Sequence, residues 1–388
     1  MSQPAVRINR HGEDRLLDGH LWVFASDVED AGAAQPGDAV RVENHRGRPL
    51  GTAHFSSTSQ IRLRLLDRDV REIDRAFFVE RIRRALAHRE RVVEGSDAYR
   101  VVHAEGDLLP GLIVDRYAGA CAVQFLDQGM DRARALIVEA LEEVLHPDAI
   151  VARNDVAVRR LENLPQSIEV LSGSVGGAVD AHFNGFTWHV DLMAGQKTGV
   201  YLDQRENYVA AARYARGRAL DAFTSTGGFA LHLARVCASV EAVDSSADAL
   251  KTAAINRDRN GLLNLEFREA NVFDLLSGYS AQQRHFDTIV LDPPAFAKSK
   301  TNLDAARRGY KDLNVKALRM LNAGGTLVTC SCSHHVSESD LLGLVAESAL
   351  DAGRTLRVLE RRSQAADHPI LLTVPETLYL KCLILEAL

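Results

Sequence analysis

Over residues 219–328 the sequence alternates apolar runs of strand length with helical stretches, and that alternation limits the possible folds more than any other feature. Ala219-Leu220-Asp221-Ala222-Phe223 leads through Thr224-Ser225-Thr226-Gly227-Gly228 into an apolar helix over 229–236, and Val240-Glu241-Ala242-Val243-Asp244 leads into a helix over 247–256. Leu265-Glu266-Phe267 then precedes Asn271-Val272-Phe273-Asp274, and Thr288-Ile289-Val290-Leu291, a helix around 311–321 and Gly325-Thr326-Leu327-Val328 follow. Strands joined through helices run parallel, because only a long crossover returns the chain to start a strand in the same direction. The expected fold class is α/β, with a Rossmann-like parallel sheet that offers ligand sites at the carboxyl ends of its strands.

Those strand ends carry chemistry. Asp221 is followed by Gly227-Gly228 at a helix start, which lets a ligand approach backbone N–H groups closely. Asp244 falls where a carboxylate accepts hydrogen bonds from a ribose diol, although a residue there also serves as a helix cap. Together they indicate an adenosine-type ligand. The third glycine of a G-x-G-x-x-G fingerprint is missing, which makes an NAD-linked oxidoreductase the weaker reading.

Two further strand ends are expected to share one active site: Ile289-Val290-Leu291-Asp292-Pro293-Pro294 and Leu327-Val328-Thr329-Cys330-Ser331-Cys332-Ser333-His334-His335. The prolines fix a rigid shelf for the carboxylate. A thiolate at Cys332 can add to C6 of a pyrimidine and so activate C5, which is otherwise a poor nucleophile. The plainer alternative is that both cysteines are small buried hydrophobes. Residues two apart on a strand share a face, so Cys330 lies near Cys332 if the strand continues that far. Ala295, with Phe296 one later, stands where enzymes that methylate exocyclic nitrogens carry an aromatic directly after the prolines, and disfavours that reaction.

Before residue 219 the pattern differs. The first stretch reads as a small β domain over 1–69, with strands at Leu21-Trp22-Val23-Phe24, Ala39-Val40-Arg41-Val42 and Ile61-Arg62-Leu63-Arg64-Leu65. In the last of these, alternation predicts a buried face and a face on which Arg62 and Arg64 are exposed, either as a solvated edge or to meet RNA. Helical spacing over 70–93 and 131–145, between strands, predicts an α+β module over 70–178, with Gly173 to Gly177 as a linker into the remainder, 179–388. Residues 194–205 crowd amide, ammonium, phenol and carboxylate groups beside two glycines, a density that suits ligand contact.

Composition narrows the setting. With 46% hydrophobic and 25% charged residues, and no apolar run near the roughly 20 residues needed to span a bilayer, the chain reads as a soluble, cytoplasmic protein without membrane association. The N-terminus shows no signal-peptide core. Five scattered cysteines suggest free thiols rather than a disulfide framework, and their spacing suggests no metal centre. A formal charge of −6 argues against wholesale wrapping of nucleic acid but leaves room for a local basic face.

A set of motifs in one order resembles a known family, the large-subunit rRNA 5-cytosine methyltransferases with an N-terminal PUA domain. It comprises Trp22-Val23-Phe24, the loop from Gly195 through Arg205, the string from Asp221 through Phe229, Asp292-Pro293-Pro294, Arg308-Gly309-Tyr310-Lys311-Asp312, Ser331-Cys332-Ser333, Asp367-His368-Pro369 and the run from Pro375 through Lys381. The resemblance covers essentially the whole chain. It implies a PUA domain, a central α+β domain and a class I methyltransferase domain binding S-adenosylmethionine.

By that likeness Cys332 matches the nucleophile and Asp292 hydrogen-bonds the base. The expected cofactor contacts are Gln196, Lys197, Thr198, Tyr201, Gln204, Asp221, Phe223, Thr226, Gly227, Asp244, Asn271 and Asp292. The sequence departs from the pattern at Cys330, often not a cysteine, at Ser225, where an aromatic is common, and at Ala295, where related enzymes carry a product-releasing cysteine. The expected partner is large-subunit rRNA, and a homodimer is compatible with the sequence. Two alternatives stand beside this reading: an RNA-binding ribosome-assembly factor that binds the cofactor without catalysis, and methylation of another pyrimidine or RNA.

Overall fold

The computed structural model describes residues 3–195, 199–296 and 303–388. The chain divides into two compact units: one of residues 1–183, 190–200 and 366–377, the other of 184–189, 201–365 and 378–388.

The first unit holds two sheets. In the six-stranded sheet, β1 (Ala5–Ile8), β2 (Trp22–Phe24), β3 (Val28–Asp30), β4 (Ala39–Glu43), β5 (Pro49–Phe55) and β6 (Ile61–Asp67) lie in the order β2-β6-β5-β4-β1-β3. Helix α1 (Arg10–Leu17) joins β1 to β2, and Val6, Ile8, Leu16, Val40, Val42 and Leu63 fill the core. In the five-stranded sheet, β7 (Ala98–His103), β8 (Leu112–Tyr117), β9 (Ala120–Phe125), β10 (Ala149–Arg153) and β11 (Ile168–Gly173) run in the order β11-β10-β9-β8-β7. Phe77, Phe78 and Ile82 of α2 (Arg75–Val92) share a core with Val101, Val114, Val123 and Ile150 of that sheet.

Three expectations need correction here. Arg64 does not lie on an exposed face: it is buried, with its guanidinium 2.9 Å from the carboxylate of the fully buried Glu162 and 3.7 Å from Asp127. Period-two alternation cannot distinguish a solvated arginine from one neutralised by a partner distant in sequence. The helix expected over 131–145 is two helices, α3 (Gln128–Arg132) and α4 (Arg134–Leu145), because the Asp127 carboxylate accepts the Met130 N–H and starts the first one earlier. Gly173, expected to open a linker, is the last residue of β11 and pairs with Ala149. The run from residue 1 to 183 ends on β12 (Val179–Phe183).

After β13 (Phe186–Val190), the second unit is built on a seven-stranded sheet of β14 (Arg218–Ala222), β15 (Ser239–Asp244), β16 (Leu265–Glu269), β17 (Phe286–Leu291), β18 (Leu321–Ser331), β19 (Leu356–Arg362) and β20 (Lys381–Ala387). The order is β16-β15-β14-β17-β18-β20-β19; the first five are parallel, and β20 lies antiparallel between β18 and β19. Both faces of β14 and β17 are apolar and buried, as a sheet covered by helices on each side requires. The covering helices are α5 (Arg205–Tyr214), α6 (Gly228–Ala234), α7 (Ala247–Arg259), α8 (Val272–Ala281), α9 (Leu303–Met320) and α10 (Glu338–Asp351).

Local signals explain their starts. Ser246 accepts the Ala249 N–H to cap α7, Asn271 caps α8, and Ser337 with Asp340 forms a capping box on α10. Helix α6 begins after Gly227 at φ +93, a conformation that a side chain rarely adopts. Among the described residues no helix is long and apolar enough to cross a membrane.

The Arg64 ion pair generates a test in the first unit. Arg64→Ala leaves Glu162 buried without its cation and is expected to lower the stability of this unit by about 3–5 kcal/mol, a size typical of breaking one side of a buried pair. Urea denaturation followed by circular dichroism measures it, and a loss below about 1 kcal/mol contradicts a role for Arg64 in holding the Glu162 charge.

Candidate active site

The second sheet changes direction between β14 and β17: the chain winds outward through β15 and β16, then crosses back to wind through β17 and β18. Crossovers diverge at such a point and leave a crevice outside the carboxyl ends of the strands. Registers show which residues stand level there. Ala222 pairs with Leu291 and with Val243, and Leu291 pairs with Thr329. Asp221, Asp244, Asp292 and the end of β18 therefore surround one crevice.

On the β14 side, the chain turns sharply after Ala222, with Phe223 at φ +70 and Ser225 at φ +51. Asp244 holds this turn through one carboxylate oxygen, which accepts the Ser225 N–H at 2.9 Å, while its other oxygen accepts the Ser246 N–H at 2.9 Å. Both readings of Asp244 have a physical basis, since it shapes the loop and still presents lone pairs. Asp221 is fully buried; Oδ2 accepts the Thr224 hydroxyl at 2.6 Å, whereas Oδ1 has no hydrogen-bond partner among the described residues. Burial pushes its carboxyl up to about 7, against the opposing pull of the Thr224 hydroxyl. A buried acceptor with no donor is suited to a cationic or hydroxylated ligand, and S-adenosylmethionine offers both an ammonium and a ribose diol.

Across the crevice, the Gln204 side-chain N–H donates to Asp292 Oδ2 at 3.1 Å, and its carbonyl accepts the Asn207 amide at 2.7 Å. The same glutamine opposes the upward shift of the Cys330 thiol. Gln204 thus fixes the Asp292 carboxylate. Cys330 is fully buried opposite Cys382 on β20, and burial, followed by the neighbouring Cys382 thiol, raises it well above an ordinary thiol. It is a packed thiol whose surroundings disfavour charge.

Cys332 differs, because β18 ends at Ser331 and frees the next residue from the sheet. Among the five cysteines it alone is not buried. The same-face relation expected for the two thiols lapses with the strand. The loop is pinned from behind: the Ser331 hydroxyl donates to the Tyr310 hydroxyl at 3.0 Å, and Tyr310 in turn bonds the Ser333 hydroxyl at 3.0 Å. Tyr310 is held up by burial and feels both Cys332 and Asp292. Tyr201 is likewise raised, by burial first and then by Asp292, Asp203, Cys332 and Asp244, which sets these groups around a single space.

The expected residues fall into three sets. Tyr201, Gln204, Asp221, Phe223, Thr226, Gly227, Asp244, Asp292 and Cys332 meet at this crevice or support its walls. Asn271 lies beyond the end of β16, where its side chain accepts the Phe273 N–H at 2.9 Å and caps α8. Gln196, Lys197 and Thr198 lie outside the described residues. Sequence reasoning gave no role to Tyr310, to Phe273 and Phe296, whose tilted rings lie 5.9 Å apart and continue to Tyr310 at 4.8 Å, or to Lys381. The motifs around Tyr310 and Lys381 were the available signal; neither indicates that α9 and β20 flank the end of β18.

The fold and crevice are those of a class I, S-adenosylmethionine-dependent methyltransferase, and two domain families match the chain: a PUA-like domain at residues 6–68 and a methyltransferase domain at 215–364. The chain resembles the ribosomal RNA large subunit methyltransferase I of Shewanella denitrificans, with 43% identity over 98% of this chain and 99% of that protein. It resembles the Klebsiella pneumoniae protein of the same name at 40% identity, over 97% of each. In fold it is similar to a candidate SAM-dependent methyltransferase from Streptococcus mutans, with a TM-score of 0.85 at 18% identity over 99% of this chain and 100% of that one. The chain belongs to the ribosomal RNA large subunit methyltransferase I family.

Asp221 sets a pH-dependent cost. Its carboxyl is raised from near 4 to about 7, so the penalty of burying the charged form is absent below pH about 4, grows through the interval, and is complete above about 7. Asp221→Asn removes that charge. Relative to the unmodified chain without cofactor, the variant is expected to gain stability steadily between pH 4 and 7, by on the order of 4 kcal/mol. Thermal unfolding across that range measures the gain, and a difference that does not vary with pH contradicts it.

Proposed function

We propose that this methyltransferase forms 5-methylcytosine in large-subunit rRNA through a covalent adduct at Cys332. The observation that carries the reading is the loop just past β18, which holds the one cysteine of five that is not buried, and where Tyr201 and Tyr310 feel both Cys332 and Asp292. S-adenosylmethionine supplies an electrophilic methyl group on a sulfonium centre. Cys332 as thiolate forms a bond to C6 of the base, and the C5–C6 π pair moves to C5. Asp292, oriented by Gln204, hydrogen-bonds the base and favours the electron-rich adduct. The C5 pair takes the methyl group; loss of the C5 proton then restores the double bond and returns the S–C6 pair to Cys332.

Asp221, Asp244, Gly227, Thr226, Phe223 and Tyr201 form the cofactor wall in this reading, with the unpaired Asp221 oxygen available to an ammonium. The reading also includes a division into a PUA domain over 1–69, an α+β domain over 70–178 and a methyltransferase domain over 179–388, acting in the cytoplasm. Uridine is the rival target, since C6 addition serves either pyrimidine.

Cys332→Ala is expected to lower methylation of undermethylated 23S rRNA at least 1,000-fold while leaving S-adenosylmethionine affinity within about twofold. Mass spectrometry of the digested RNA identifies the base. Unchanged turnover in the variant removes the cysteine mechanism, and 5-methyluridine in place of 5-methylcytosine removes the cytosine.

A further inference from the structure

Lys381, the first residue of β20, is 4% exposed, an unusual place for an ammonium. Its Nζ donates to the Ser333 carbonyl at 2.7 Å and to the Tyr379 carbonyl at 2.8 Å, and among the described residues no carboxylate lies within ion-pair distance. Its Cα pairs with Ser331 across the antiparallel β18–β20 ladder. Lys381 therefore meets the chain on both sides of Cys332, with its backbone in register with Ser331 and its side chain donating to the Ser333 carbonyl.

We propose that Lys381 is a positioning residue that holds the β18 end in place and stabilises Cys332 as a thiolate, with the ammonium as its counter-ion. The proposal deepens the cysteine mechanism and rests on it for its catalytic meaning. The thiol proton leaves to solvent, and Lys381 keeps its own proton, so that a thiolate stands beside an ammonium. Burial brings Lys381 down to about 8, which leaves it charged at pH 7, and the Cys332 charge pulls the other way.

The other charges around the pair are accounted for. From α10, Asp340 acts on the ammonium at longer range, its carboxylate engaged by the Ser337 N–H and hydroxyl and by Arg307 at 3.3 Å. From α9, Tyr310 turns its hydroxyl to Ser331 and Ser333. Asp292 beyond β17 and Tyr201 face Cys332 from across the crevice, and the Asp292 charge opposes the thiolate. Beside the loop, the His334 and Tyr379 rings lie 5.9 Å apart. Against these carboxylates, the Lys381 ammonium favours the thiolate in this proposal.

The test is the pH profile of Cys332 alkylation by iodoacetamide in the full chain, quantified at that residue by peptide mass spectrometry. In the unmodified chain the midpoint is expected below the ordinary thiol value of about 8.5. Lys381→Met is expected to raise it by one pH unit or more and to lower kcat for methyl transfer at least tenfold at pH 7, with KM for S-adenosylmethionine unchanged; Lys381→Arg restores the midpoint. An unshifted midpoint in a Lys381→Met chain that still binds S-adenosylhomocysteine overturns the proposal. So does a midpoint at or above 8.5 in the unmodified chain, which needs no variant to fold. Alkylation reads the thiol whether or not RNA is methylated. A shifted midpoint, in a protein whose Cys332→Ala variant still methylates rRNA, supports the Lys381 assignment and overturns only the nucleophile reading.

Discussion

The level registration of β14, β17 and β18 is the constraint on which the site depends. Hydrogen-bonded pairing of Ala222 with Leu291, and of Leu291 with Thr329, fixes where each strand ends relative to its neighbours. A shift of two residues in β17 would keep its side-chain alternation yet carry Asp292 about 6–7 Å along the strand direction, out of reach of Gln204. Catalytic geometry here is inherited from a backbone ladder. The side chains that hold it, such as the Thr288 hydroxyl accepting the Arg216 N–H at 3.0 Å, belong to the same framework.

A second consequence of the sheet is the contrast between its two neighbouring thiols. Cys330 is inside the ladder, paired with Cys382 and enclosed, and its environment disfavours charge. Cys332 is two residues further on, past the last strand residue, where a lysine and two serines replace apolar neighbours. In the proposed mechanism the same side chain packs in one setting and reacts in the other, because reactivity follows the thiolate, and the thiolate follows dielectric and nearby charge.

Much of the second unit was legible in the sequence because its elements are long, buried on both faces and punctuated by recognisable turns. The strand ends Asp221, Asp244 and Asp292 could be identified from apolar runs alone. What could not be read were relations between distant residues. Arg64 looks like an exposed arginine until Glu162 is placed beside it, and nothing local to Gln204 shows that it orients Asp292. Asn271 caps α8, and a residue before a helix can cap it or contact a ligand with the same side chain, so the sequence does not separate the two roles. The helices α8 and α10 were passed over because their apolar faces are short, although the Ser337 and Asp340 pair was a usable start signal for α10.

Lys381 shows why the antiparallel strand matters. A wholly parallel sheet would end at β18 and leave the loop after Ser331 beside an open edge; inserting β20 in the opposite direction brings the amino end of that strand level with the carboxyl end of β18. Only this reversal lets the first residue of a strand reach the reactive end of its neighbour. An ammonium placed there meets a buried environment and two carbonyls, and its charge is held against solvent that would otherwise screen it. The reversed strand lies between β18 and β19 and, in the proposed role of Lys381, places a positive charge beside the acidic strand ends.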